Sequence, residues 1–133
     1  MADFVDELWT WLTVTAPTPV ASGSLFISRL PDTPAQVAAL FDAGGVSQAH
    51  NPIQTRGVRV ETRGTTRAES LTLANQIYDA LHAGGGSTLI DYSGTAYYFY
   101  SAVCQSPPQQ IGIDKNSRPL FGFDVEIIMR EVS

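Results

Sequence analysis

Residues 66–86 constrain the chain most. Thr66-Arg67-Ala68-Glu69 has the form of a capping box, in which a threonine hydroxyl caps the first turn and a glutamate reaches back. Behind it Leu71, Ala74, Ile77, Tyr78 and Leu81 recur at helical spacing. Gly84, Gly85 and Gly86 then supply the positive φ at which helices stop. The stretch predicts a helix over 66–83. Immediately before it, GVRVETRG alternates Val58, Val60 and Thr62 with Arg59, Glu61 and Arg63, which predicts a strand near 56–64.

The remaining elements read less uniformly. Val5, Leu8, Trp9 and Leu12 share one helical face behind Asp3 as N-cap, giving a short helix over 3–13. SLFISRL predicts a strand near 24–30. AQVAALF has good helix propensity after Thr33-Pro34, yet Val37, Ala39 and Phe41 also alternate, so the residues alone leave 34–43 open between helix and strand. Residues 44–55 form a long polar connection around Gly44, Gly45, His50, Asn51 and Pro52, expected to be a mobile loop. A short strand is expected near 87–92. AYYFYSAVC, near 96–104, is apolar on both faces, with Tyr97, Phe99 and Val103 on one and Tyr98, Tyr100 and Ala102 on the other. Asp114–Ser117 reads as a turn. In the last strand, near 119–131, Phe121, Phe123, Val125, Ile127 and Met129 oppose Gly122, Asp124, Glu126 and Arg130.

Composition excludes several function classes. At 133 residues the length is that of one domain, 1–133. Charged residues are only 16%, so surface that is normally charged is open to cover by other subunits. A formal charge of −5 argues against sequence-independent nucleic-acid binding, which needs a basic face to displace counterions. One cysteine, Cys104, excludes an intrachain disulfide and a multi-cysteine zinc site. Asp3, Asp6 and Glu7 stand where a signal peptide would be positive.

The search for chemistry finds little. The only histidines are His82, suited to a helix C-terminus, and His50, in a polar loop. There is no G-x-S-x-G elbow, no H-E-x-x-H and no complete calcium loop. No catalytic residue, cofactor or metal site is expected. Arg59, Glu61 and Arg63 have two readings of equal weight: a solvated strip with ion pairs of little energy, or a subunit interface whose mixed charges fix register. Tyr98 and Tyr100 favour an interface, because phenols suit half-wet surfaces. Asp124 and Glu126 are the alternative interface.

The order of the pieces carries a resemblance. A tryptophan-bearing N-terminal helix precedes LPDTPAQVAALFDAGG, then V-R-V-E-T-R-G with AESLTLANQIYDALH directly behind it, then SPPQQIGIDKNSRPLFGFDVEI. From about Leu8 to Glu131 this resembles the small minor-capsid or tail-terminator proteins of long-tailed bacteriophages. The segment 34–43 departs from that pattern, being alanine-rich where the family runs to β-branched residues. The resemblance implies an α+β fold: a mostly antiparallel sheet of about five to six strands with two helices packed on one face, and a strand over 36–42. It implies assembly rather than enzymatic activity. The partners would be further copies in a homo-oligomeric ring, typically a hexamer, the tail tube protein and the head–tail connector protein. Viral DNA would pass through the channel without specific binding. The place would be the head-proximal end of the virion tail, after assembly in the host cytoplasm. A neck or head-completion protein, and a small non-viral binding domain or enzyme using His50, are the alternatives.

Overall fold

The structure is a computed structural model that describes residues 8–9, 11–12, 25–32, 36–46, 53–83, 88–91, 96–104 and 106–132. Its strands are β1 (Leu25–Ile27), β2 (Val37–Val46), β3 (Ile53–Arg63), β4 (Thr88–Asp91), β5 (Ala96–Cys104), β6 (Gln109–Ile113) and β7 (Pro119–Val132). Helix α1 (Arg67–Ala83) lies between β3 and β4. The seven strands form one sheet in the order β1-β2-β3-β7-β5-β4, with β6 also paired to β7. Every pairing is antiparallel except β1 with β2. The architecture is α+β with a mixed sheet. It has more strands than expected and, among the described residues, one full helix. Of the expected helix 3–13 only Leu8, Trp9, Trp11 and Leu12 are described; the first two are α-helical and the last two have π-type turns.

The alternation along β7 explains the core. Phe123, Val125, Ile127 and Met129 face Val58 and Val60 on one side and Phe99, Ala102 and Cys104 on the other. Leu73, Ile77, Ala80 and Leu81 of α1 and Leu8, Trp11 and Leu12 close over this face. Trp11 meets Phe99 edge to face at 5.5 Å, and Tyr78 meets Phe123 likewise at 5.5 Å. Burying side chains of this size stabilises the fold by roughly 1.5–3 kcal/mol each.

Helix α1 begins at a dense polar junction. The Glu69 N–H donates to Thr66 Oγ1 at 3.2 Å, which makes Thr66 the N-cap. The Glu69 carboxylate takes the hydroxyl of Thr65 instead of reaching Thr66. Ser70 is fully buried; its Oγ accepts the Gly64 N–H at 2.7 Å and lies 2.8 Å from the Pro119 carbonyl. Thr62 Oγ1 donates to the Ser70 carbonyl at 2.9 Å. A Cβ on Gly64 would stand 2.7 Å from Glu69 Cβ and 2.9 Å from Ser70 N, so only glycine lets strand and helix approach here.

Two readings of the sequence need correction. Gly44 and Gly45 belong to β2, not to a loop, and Ile53–Thr55 belong to β3. Asp42 pairs with Val58 but Gly45 with Arg56, so β2 carries one extra residue, a β-bulge; glycine inside a strand marks such a site. The connection shrinks to 47–52, and His50 and Asn51 lie outside the described residues. The second correction concerns β5. Phe99 pairs with Met129 and Ser101 with Ile128, leaving Tyr100 as an extra residue. The bulge reverses the facing of everything after it. Ala102 therefore packs on the core, while Val103 is 49% exposed on the opposite face.

Strand β6 replaces what reads as a mere interruption. It continues beyond β5 along the same edge of β7, from Gln109 opposite Gly122 to Ile113 opposite Pro119. The turn back is built by Asp114, whose Oδ1 accepts the N–H groups of Asn116 and Arg118, both at 2.9 Å, while Ser117 adopts φ 61°.

Candidate assembly interface on the open face of the sheet

Helix α1, with Leu8, Trp11 and Leu12, covers one face of the sheet. The register gathers the sequence-derived residues on the other. Arg59 stands opposite Asp124, Gly57 and Val103 flank Glu126, and Tyr98 stands opposite Arg130. The two interfaces that the sequence offered as alternatives, one around Arg59 and Glu61 and one around Asp124 and Glu126, are thus parts of one surface.

Its electrostatics are those of a short ladder. Arg59 Nε lies 2.9 Å from Glu61 Oε2, and Arg59 Nη1 lies 3.6 Å from Asp124 Oδ1. Arg59 is 41% and Asp124 55% exposed, so these pairs contribute little to folding. Glu126 is exposed and adds negative charge beside Val103. Toward the β4 side the surface becomes aromatic. Tyr98 and Tyr100 stack with centroids 6.2 Å apart at 27°, as side chains two apart on one strand face can. The Arg130 guanidinium lies 5.2 Å from the Tyr98 centroid, and its Nε is buried without a hydrogen bond. Asp42 and Arg56 pair across the β2 bulge at 3.4 Å.

Arg63 parts from this set. It shares the alternation of Arg59 and Glu61 but is only 2% exposed. Its Nη2 donates to the Pro31 carbonyl, and its Nε lies 3.8 Å from Asp114 Oδ2. Arg118 shares Asp114, with Nε 2.8 Å from the same oxygen, and donates from Nη1 to the Asp32 carbonyl at 2.9 Å. Lys115 closes the cluster at 2.9 Å from Asp32. Arg63 is a brace inside its own chain, tying β3 to the β6–β7 turn and to Pro31. Burial lowers the pKa of Arg63, with the nearby Arg118 charge adding to that. Burial acts to raise the Asp114 pKa, but the N–H groups of Arg118 and Asn116 and the Arg118 guanidinium more than offset it, so the group sits below its ordinary value. The Asp32 carboxylate is likewise lowered, first by its hydrogen bond to Lys115.

Sequence reasoning missed Arg130, Val103 and the Asp32–Asp114–Arg118 cluster. Arg130 was legible as a neighbour of Glu126 on the strand face. Val103 was assigned to the wrong face because a bulge leaves no local mark. Among the described residues no group of histidine, cysteine and carboxylate side chains is placed to hold a metal ion. Burial pushes the Cys104 thiol up to about 11, away from a reactive thiolate. His82 packs against Tyr78, centroids 4.5 Å apart, at the end of α1. No described helix is long and apolar enough to cross a membrane.

A one-sheet α+β domain with one open face is an architecture that many unrelated functions share. Comparison with known families narrows this: residues 12–130 match the family model described as bacteriophage tail terminator protein, and the chain belongs to that family. It is a structural protein of virion assembly, associated with other tail and head components, and its place is the phage tail. No curated protein matches the chain.

Proposed function

We propose that copies of this chain close into a ring, a hexamer, on the head-proximal end of the tail tube. The ring ends tube polymerisation and offers the surface on which the head–tail connector docks, and viral DNA passes through its channel. The role is assembly without catalysis, and the ring is acquired in the host cytoplasm. The carrying observation is the open sheet face, where Arg59, Glu61, Asp124 and Glu126 adjoin Tyr98, Tyr100 and Arg130. Arginine and tyrosine are the types enriched at interface centres, and mixed charge fixes register between copies. A head-to-tail contact either closes or grows into fibres, so a terminator must close. The net charge of −5 suits a conduit, since a lumen that held phosphates would retard DNA.

The test is negative-stain imaging of the purified protein mixed with tail tubes. Rings on one tube end are expected, and Arg59→Glu combined with Tyr98→Ala should abolish them while the monomer stays folded. Binding to capsids but not to tubes would favour a neck protein. Normal rings from the double variant would remove the open face from the interface.

A further inference from the structure

We infer that the open face of the sheet receives the outer side of helix α1 of a second copy held in the same orientation. This contact rests on the ring reading above and supplies its geometry: the front of one copy against the back of the next. Arg130 on the open face has no ion-pair partner among the described residues; its guanidinium rests on Tyr98 at 5.2 Å and its Nε is buried without a hydrogen bond. Glu126, on the same face of β7, is exposed and likewise unpaired among the described residues. Helix α1 offers the opposite charges. Arg67 and Asp79 are both exposed, and neither has an ion-pair partner among the described residues.

The direction of the charges agrees as well. Helix α1 starts beside Pro119, whose carbonyl lies 2.8 Å from Ser70 Oγ, with Arg67 5.3 Å from the Phe121 ring, and it sets Tyr78 against Phe123 further along β7. It therefore runs up the sheet in the sense of β7. Along that direction the back of the chain reads positive then negative, from Arg67 to Asp79, and the front reads negative then positive, from Asp124 and Glu126 to Arg130. The helix rises about 18 Å between its two charges. Strand β7 rises about 13 Å from Glu126 to Arg130 and about 20 Å from Asp124. Two copies with parallel strands thus set Asp79 against Arg130 and Arg67 against the end carrying Asp124 and Glu126. The helix dipole, positive toward Arg67, adds to the match.

The two surfaces also fit in kind. Ala68, Thr72, Asn75 and Asp79 recur at helical spacing as an exposed ridge of small side chains. Such a ridge lets a sheet face approach, and Thr72 and Asn75 supply polar partners for the hydroxyls of Tyr98 and Tyr100. Ile53, 45% exposed opposite Arg130, and the two tyrosine rings supply the apolar area. The charges set register and direction rather than strength. Open face on open face is the competing contact between copies. It would pair Arg130 with Glu126 twice about a two-fold axis, close at two copies and leave nothing to continue a ring. A front-to-back contact repeats from copy to copy, and like orientation is what a ring about one axis requires.

The experiment exchanges charge between copies and reads the fraction of tail-tube ends that carry a ring in negative stain. Asp79→Arg and Arg130→Glu should each lower that fraction by on the order of ten-fold. An equimolar mixture of the two variants should restore it, because the reversed front of one meets the reversed back of the other, and the unchanged front meets the unchanged back. Unfolding midpoints check that each variant folds; Arg67→Glu with Glu126→Arg is the second pair if Arg130→Glu melts early. Rings of Asp79→Arg at wild-type frequency, or a folded mixture that fails to recover, overturn the contact and leave the ring standing. Loss in Arg130→Glu with Asp79→Arg silent overturns it in favour of open face on open face. A wild-type chain that caps no tube and stays monomeric in sedimentation overturns the contact and the ring together.

Discussion

Reversing Arg63 and reversing Arg59 should differ sharply in cost, although the two residues share the alternation of one strand. Arg59 is 41% exposed and its partners Glu61 and Asp124 remain in contact with solvent. Arg59→Glu therefore costs about 1 kcal/mol or less. Arg63 is 2% exposed and bridges the Pro31 carbonyl and Asp114. Arg63→Met removes a charge-assisted hydrogen bond but leaves Asp114 neutralised by Arg118 at 2.8 Å, which sets the cost at about 1.5–3 kcal/mol. Arg63→Glu places a second carboxylate against Asp114 at a position only 2% exposed, a loss of about 3–5 kcal/mol. Against a total stability of about 5–15 kcal/mol, the last change takes from about a fifth to all of the fold's margin. Urea unfolding followed by tryptophan fluorescence measures all three, since Trp11 packs on the core. The expected order of cost is Arg59→Glu, Arg63→Met, Arg63→Glu. An Arg63→Glu protein as stable as wild type, or less affected than Arg59→Glu, would refute the assignment of Arg63 as an internal brace.

Three further outcomes are expected. Ser70→Ala strands the buried Gly64 N–H and frees the Pro119 carbonyl, lowering stability by about 1–3 kcal/mol, whereas exposed Thr72→Ala on the same helix should stay within about 0.5 kcal/mol in calorimetry. Asp114 titrates below its ordinary 3.8 in the folded chain, so its contribution is present above that value and disappears as pH falls through the lower folded pKa; unfolding midpoints across pH 2–6 should show this loss, and Asp114→Asn should flatten it. Cys104, with its thiol held up at about 11, should alkylate with iodoacetamide at pH 8 far more slowly than a free cysteine, and unfolding in urea should abolish the difference.

Much of this architecture is written locally and some of it is not. The cap, period and stop of α1 are all contained in 66–86, so the helix is readable without its neighbours. Strands β3 and β7 are readable because each has one buried and one wet face. Strand β2 resists, since Val37, Ala38, Ala39 and Leu40 are all fully buried and a segment covered on both faces shows no period. There the pairing with β1 and β3 decides against alanine's helix propensity. Strand β6 was invisible for the opposite reason: most of its residues are exposed, and Gly112 lies within it. The bulges between Asp42 and Gly45 and at Tyr100 depend on register with partner strands, so the sequence of one strand does not announce them. The same limit applies to the surface. Alternation placed Arg59, Glu61, Asp124 and Glu126 on strand faces, but nothing within β3 separates Arg63 from Arg59. Only Pro31 and Asp114, distant in sequence, do so.

The central position of β7 has a consequence for biogenesis. Strands β3, β5 and β6 all pair with β7, and of the described strands it is the last to leave the ribosome. Until then β3 has β2 on one side and an unsatisfied ladder on the other, and β5 has only the four residues of β4. The nascent chain must therefore wait, with Val58, Val60, Tyr97 and Phe99 unsealed, for a segment whose contacts with β3 span the whole of α1. Long-range closure of this kind is slow and leaves partly made sheets prone to sticking. The arrangement also acts as a timer: no copy has a finished open face before its own translation has passed β7.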